Sequence, residues 1–138
     1  MPRAGGCAAA LVLAALALTA SGCATTSTGP LEPLVVGWER FFKLEWQPGA
    51  RDGRPVVWGY ILNDWGMPAA SVRILVDGLG PGGELLEQRL AWVGSLTPGM
   101  RAYFEVPVER PAAAYRVRVF SFDWVLEDDL GIRRRRFP

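Results

Sequence analysis

From Val35 onward the apolar residues recur with a period of two rather than 3.6, and short breakers interrupt them at fairly even intervals. A helix buries one face only if its apolar residues fall three or four apart, so this spacing predicts strands. Trp38, Phe42, Leu44 and Trp46 share one parity, with Glu39, Lys43 and Glu45 on the other. Val72, Ile74 and Val76 alternate with Arg73, Leu75 and Asp77; Phe104, Val106 and Val108 alternate with Tyr103, Glu105 and Glu109. Tyr115, Val117 and Val119 alternate with Arg116 and Arg118 in a strand that runs on toward Trp124, and Leu86 to Val93 is a further candidate. The run Val56 to Leu62 is apolar on both parities, which predicts a strand covered on both sides. Breakers separate these runs at Pro48-Gly49, Asp52-Gly53, Gly66-Met67-Pro68, Gly80-Pro81-Gly82-Gly83, Pro98-Gly99 and Pro111. Many short strands with regular punctuation predict an all-β fold over residues 35–125. The best fit is an immunoglobulin-like β-sandwich of about six to seven antiparallel strands.

The first residues follow a different rule. Arg3 is the only charge before an uncharged run from Ala8 to Ala20, which small residues close at Ser21-Gly22-Cys23. A basic start, an apolar run and a small-residue exit form the layout of a secretory signal peptide. The run is too short to cross a bilayer, which takes roughly 20 residues.

At its end the segment resembles the signal peptides of bacterial lipoproteins, with Ala20-Ser21-Gly22-Cys23 in place of the cleavage box and Ala where Leu is commonest. The resemblance implies cleavage between Gly22 and Cys23, a thioether-linked diacylglyceride on Cys23 and an amide-linked third acyl chain. It implies export and anchoring in the cell envelope, in the outer membrane if the host has two, because Ala24 is not the Asp associated with inner-membrane retention. Each buried methylene is worth about 0.8 kcal/mol, so several chains make the attachment effectively permanent.

Those assignments divide the chain into a signal peptide (1–22), a lipidated N-terminus with a flexible tether (23–34), the sandwich (35–125) and an acidic-then-basic tail (126–138). Small hydroxyls, Gly29, Pro30 and Pro33 argue for a tether over residues 24–34, whose coil would span roughly 18 Å. Cys7 leaves with the signal peptide and Cys23 carries lipid, so no disulfide is expected and the core must hold the domain together. Without Arg3, the basic and acidic side chains balance at 14 each. Arg133, Arg134, Arg135 and Arg136 supply four of the basic ones, so no broad nucleic-acid footprint is expected.

Composition also narrows the chemistry. The sequence has no histidine, which removes the commonest general base and metal ligand. Without a free Cys as well, ordinary zinc sites and His-dependent nucleophiles are excluded. A Ser–Lys pair would need Lys43, the sole lysine, which sits in an alternating strand as a solvated residue. Asp123, Glu127, Asp128 and Asp129 offer oxygen ligands, but their spacing fits no calcium loop, and a wet acidic turn is the simpler reading. A two-carboxylate glycosidase needs a cleft that so small a domain has little room to build. No metal, cofactor or enzymatic activity is expected.

Residues 55–122 resemble the FxLYD-type and related Ig-like domains of bacterial lipoproteins. The likeness lies in Gly59-Tyr60-Ile61-Leu62-Asn63, in Leu75 and Asp77 before the Gly80–Gly83 turn, and in Pro98, Gly99 and Phe104. Arg73 and Val76 depart from the naming motif. The resemblance implies the fold and lends no common activity. A lipid-anchored, non-enzymatic interaction or structural module of the envelope is therefore expected, with an envelope protein or cell-wall component as partner. A module for a glycan or peptide ligand is the alternative. Trp58 and Tyr60 lie two apart on one strand face; packing under another sheet or the N-terminal strand is expected for them, and a stacking surface for sugar or peptide is the alternative. Trp65, in a turn after a strand, either caps the open end of the core or forms a protein contact. In the tail, Arg133, Arg134, Arg135 and Arg136 either pair with the neighbouring acids and solvent or touch an anionic surface.

Overall fold

In a computed structural model of the chain, residues 29–126 are described. The cleavage and lipidation positions Gly22 and Cys23 lie outside the described residues. So do the acids Glu127, Asp128 and Asp129, and the candidate anionic-surface contacts Arg133, Arg134, Arg135 and Arg136. The elements are a 3-10 turn at Trp38–Arg40 followed by six strands. These are β1 Phe42–Arg51, β2 Arg54–Asn63, β3 Ala69–Leu79, β4 Leu85–Leu96, β5 Arg101–Pro107 and β6 Ala114–Trp124. They form two antiparallel three-stranded sheets, ordered β1-β2-β5 and β4-β3-β6. The fold is a six-stranded β-sandwich with the immunoglobulin-like arrangement, in which β2 and β3 are the central strands.

The breakers make the turns. Asp52 and Gly53 carry φ of 50° and 74°, the two left-handed residues of a two-residue hairpin whose twist matches the flanking strands. At the β4–β5 connection Pro98 precedes Gly99 at φ 75°, and Met100 N–H donates to the Thr97 carbonyl at 2.9 Å. Proline pre-sets the first central residue of such a turn, and glycine accepts the second. At Gly59, opposite Trp46 on β1, a Cβ would overlap the Glu45 carbonyl oxygen and Trp46.

Alternation ends earlier at the N-terminal side than its parity predicts. Gly37 has φ 78°, and Trp38 to Arg40 turn before β1 begins at Phe42. Trp38 still packs against the core, but as part of that turn.

The inter-sheet core is built from Phe42, Val57 and Ile61 on one side and Ile74, Val76, Val119 and Phe122 on the other, with Phe104 and Val106 from β5. Around it, the two central strands reverse the expected burial. The sequence predicts β2 covered on both faces, yet Tyr60 on its outer face is exposed and Trp58 is only half-buried. β3 reads as alternating, yet Leu75 and Asp77 on its outer parity are both fully buried. The cause is the segment before the sandwich. Residues 31–34, which the sequence presents as the end of a tether, lie as a strap against the outer face of β4-β3-β6. Leu31 exchanges two hydrogen bonds with the Gln88 side chain, at 2.7 and 3.0 Å, and Leu34 N–H donates to the Phe120 carbonyl at 2.8 Å. Glu32 pairs with Arg118 between them. A register shift in the β3–β6 pairing leaves Phe120 without a cross-strand partner, and Val119 and Phe120 are both buried, one after the other.

Under the strap, Asp77 collects three donors: Gln88 Nε2 at 2.8 Å, Arg116 Nε at 2.8 Å and Arg118 Nη2 at 2.7 Å. Its exposure is 0%, so these donors replace the hydrogen bonds that burial takes from water. Removing it takes one of the two acidic partners from Arg118, whose side chain is only 15% exposed, and leaves it Glu32 alone. Asp77→Ala should therefore cost about 3 kcal/mol or more, the usual penalty for breaking a buried pair from one side. Chemical denaturation of the domain checks this, with Asp77→Asn expected to lose less because one acceptor oxygen remains.

Candidate functional site

No strap among the described residues crosses the outer face of β1-β2-β5. Register alone sets its three rungs: Lys43, Leu62 and Arg101; Glu45, Tyr60 and Tyr103; Gln47, Trp58 and Glu105. Period two puts all nine side chains on one side. The rings pack together: Tyr60 and Tyr103 meet edge-on at 5.6 Å between centroids, and Trp58 tilts against Tyr103 at 6.2 Å. Trp58 reaches across the sheet to Gly49, where a Cβ would fall 2.9 Å from the indole nitrogen. Glycine at that point leaves the room that the indole occupies beside β1.

Charges frame the rings in pairs. Arg101 stacks on Tyr60, its guanidinium carbon 4.1 Å from the ring centroid, and also pairs with Glu45. At the other end Arg51 contacts Glu105 at 2.7 Å, and the Tyr103 hydroxyl donates to the same carboxylate at 2.6 Å. That hydroxyl bond, helped by Arg51, holds the Glu105 carboxyl below the ordinary glutamate range, and the same bond raises the Tyr103 phenol above its own. Exposed pairs of this kind add little to stability. Their effect is to fix the direction of Tyr103 and Arg101, and with them the shape of the aromatic surface.

Two open hollows flank Trp58. One of about 480 Å³ lies among Arg51, Asp52, Val56, Trp58, Tyr103 and Glu105. The other, of about 270 Å³, lies among Glu45, Gln47, Trp58, Gly59, Tyr60 and Arg101. Both are shallow recesses in a broad sheet face. Glu45 and Glu105 are each engaged by an arginine, and no cluster of metal-ligating side chains occurs among the described residues. Asp123 is exposed on β6. The face offers aromatic planes and fixed hydrogen-bonding groups, which suit contact and stacking.

Trp65 sits elsewhere, at one end of the sandwich. Asn63, fully buried, donates to the Met67 and Leu96 carbonyls, each at 2.9 Å, and accepts from Trp65 N–H at 3.1 Å. One amide thus ties the loop after β2 to the end of β4. Asp64 in the same loop pairs with Lys43 at 2.5 Å, which gives the lone lysine a partner although it remains solvated. Trp65 packs edge-on to Phe41 at 5.1 Å, and Phe41 leads on to Trp124 and Phe122. It is nevertheless 45% exposed, so it shares the properties of an end cap and of a surface residue.

No known family, curated protein or solved structure matches this chain. The likeness to FxLYD-type domains therefore rests on the residues quoted for it. The aromatic surface with Tyr103 escapes a reading by sequence because it joins β2 to β5, strands whose paired residues lie about forty or more positions apart. Its only local trace is the two-residue spacing of Trp58 and Tyr60.

Trp65→Ala should lower stability by about 2 kcal/mol, below the roughly 3–5 kcal/mol of a fully buried aromatic truncation and above the roughly 0.5 kcal/mol of a surface change. Denaturant titration of the variant measures it. A loss within the surface range would show that the Phe41 contact does not cap the core.

Proposed function

We propose that this chain is a lipid-anchored, non-enzymatic interaction module of the bacterial cell envelope, attached through Cys23 and binding its partner on the outer face of β1-β2-β5. The observation that carries the reading is the clustering of Trp58, Tyr60 and Tyr103 on one open face. Tyr and Trp supply large contact area at small entropic cost and dominate interface hot spots. A broad face with shallow recesses fits a protein surface better than the enclosed pocket that a small ligand requires. The partner is an envelope protein or an exposed cell-wall component, and no nucleic acid is involved. Ala24 after the lipidated residue favours the outer membrane in a diderm host. In the tail, Arg133, Arg134, Arg135 and Arg136 then add basic charge close to whatever surface the tail meets.

A second reading has its own support. The two hollows beside Trp58 place carboxylate and guanidinium groups around an aromatic plane, which suits a glycan or peptide. Pull-down from envelope extract and binding to purified cell-wall glycan distinguish the two partners.

Trp58→Ala should abolish recovery of the partner from envelope extract while the domain still unfolds cooperatively. Wild-type recovery by a folded Trp58→Ala protein would remove this face from consideration. Cys23→Ser should separately leave the protein unacylated and free of the membrane fraction. Mass spectrometry of the N-terminal peptide and sedimentation check it, and wild-type partitioning of that variant would defeat the anchor.

A further inference from the structure

The outer face of β4-β3-β6 carries exposed apolar residues and cations beside the point where the chain leaves for its N-terminus. Gln88 grips both backbone polar groups of Leu31 on this face. Two residues to either side on the same parity of β4 stand Leu86 and Leu90, 43% and 45% exposed, with Trp92 beyond them at 64%. Arg73 lies over the Trp92 ring at 5.6 Å and forms no ion pair among the described residues. Leu34 and Val36, in the segment that runs beside β6, are 71% and 96% exposed. Arg73, Arg116 and Arg118 share this face with Asp77 and Glu32, which Arg116 and Arg118 engage, and with the exposed Asp123, two residues along β6 from Ser121, the cross-strand partner of Arg73.

We infer that this face rests on the lipid bilayer, with Leu86, Leu90 and Trp92 in the headgroup region and Arg73 against lipid phosphate. The inference rests on the proposed anchor at Cys23. The strap holds Leu31 beside Gln88, and the stretch from Cys23 to Leu31 spans about 29 Å at most when fully extended. The tethering point is therefore kept near the bilayer, and the apolar side chains closest to it are those of β4. Tryptophan at a membrane surface places an apolar body and a polar N–H at the headgroup level, where it is enriched. Arg73, which has no ion pair among the described residues, adds a local attraction to lipid phosphate, which falls as salt rises. Bilayer contact on this side leaves the aromatic face of the opposite sheet pointing away from the membrane.

A mature chain acylated at Cys23 has no other thiol, so a single cysteine can carry an environment-sensitive dye. Full-length lipidated Leu90→Cys and Gln47→Cys proteins would be labelled and reconstituted in vesicles of phosphatidylethanolamine and phosphatidylglycerol. Vesicle flotation and quenching by spin-labelled lipid are then measured together. The expected result is flotation of both, with a blue-shifted, quenched dye at position 90 and a water-like, unquenched dye at 47. Arg73→Glu combined with Trp92→Ser in the Leu90→Cys background should return the dye to water without loss of flotation. Flotation with an unquenched dye at 90 would overturn the face assignment and leave the anchor intact. Failure to float would overturn the anchor, and the face assignment with it. A blue shift at 90 that depends on protein concentration and resists lipid quenching would assign the face to a second copy of this chain instead.

Discussion

A carboxylate placed at the centre of a sheet governs how this sandwich closes. Asp77 lies on β3, the middle strand of β4-β3-β6, and has no exposure to solvent. An unpaired charge there would cost several kcal/mol, so its neighbours on both adjacent strands must be donors. Gln88 comes from β4, and Arg116 and Arg118 come from β6. One side chain thereby ties all three strands together on the face that the inter-sheet core does not reach. The same donors engage the strap, Gln88 through Leu31 and Arg118 through Glu32. Polar satisfaction inside the sheet and the covering of that sheet are therefore one arrangement, and Leu75 is buried because of it.

Much of the strand layout is legible in the sequence because turns have strict conformational demands. Asp52-Gly53 needs two left-handed residues, and few other pairs would accept the φ values found there. Pro98-Gly99 is equally diagnostic. The coverage of each outer face is not legible, since alternation reports parity within a strand and carries no information about distant segments. The apolar run of β2 argues for cover on both faces, but nothing in the described chain crosses Trp58 and Tyr60. On β3 the charged Arg73 and Asp77 disguise a buried parity, with Leu75 as its one apolar sign. The short alternation of Leu31, Pro33 and Val35 is the other sign, outweighed by two prolines that suggest a tether.

Turn chemistry also decides what Trp65 can do. Its loop is held by Asn63, whose amide reaches Met67 and the end of β4 at once. A loop fixed at both ends directs the indole toward Phe41 without enclosing it. The sequence places Trp65 in a turn but cannot choose between cap and contact, because the choice depends on how far Phe41 projects from the bend before β1. The 45% exposure is the result of that compromise.

The two outer faces differ in a way that composition alone conceals. Each mixes aromatic, apolar and charged side chains, and the whole chain is close to neutral. On β1-β2-β5 every arginine of the aromatic surface is matched to a carboxylate, Arg51 with Glu105 and Arg101 with Glu45, so the rings sit in a neutral, rigid frame. On β4-β3-β6 Asp77 and Glu32 are engaged by Arg116 and Arg118 at the strap, Asp123 is exposed on β6, and Arg73 forms no ion pair among the described residues beside the most exposed tryptophan. Neutral, ordered aromatic surface favours shape-specific contact, whereas an unpaired arginine beside exposed apolar side chains favours a surface without fixed shape. A strap that covers only one sheet is what creates this asymmetry. It neutralises the interior of its own face, sets the point at which the N-terminal segment departs, and leaves the opposite face bare.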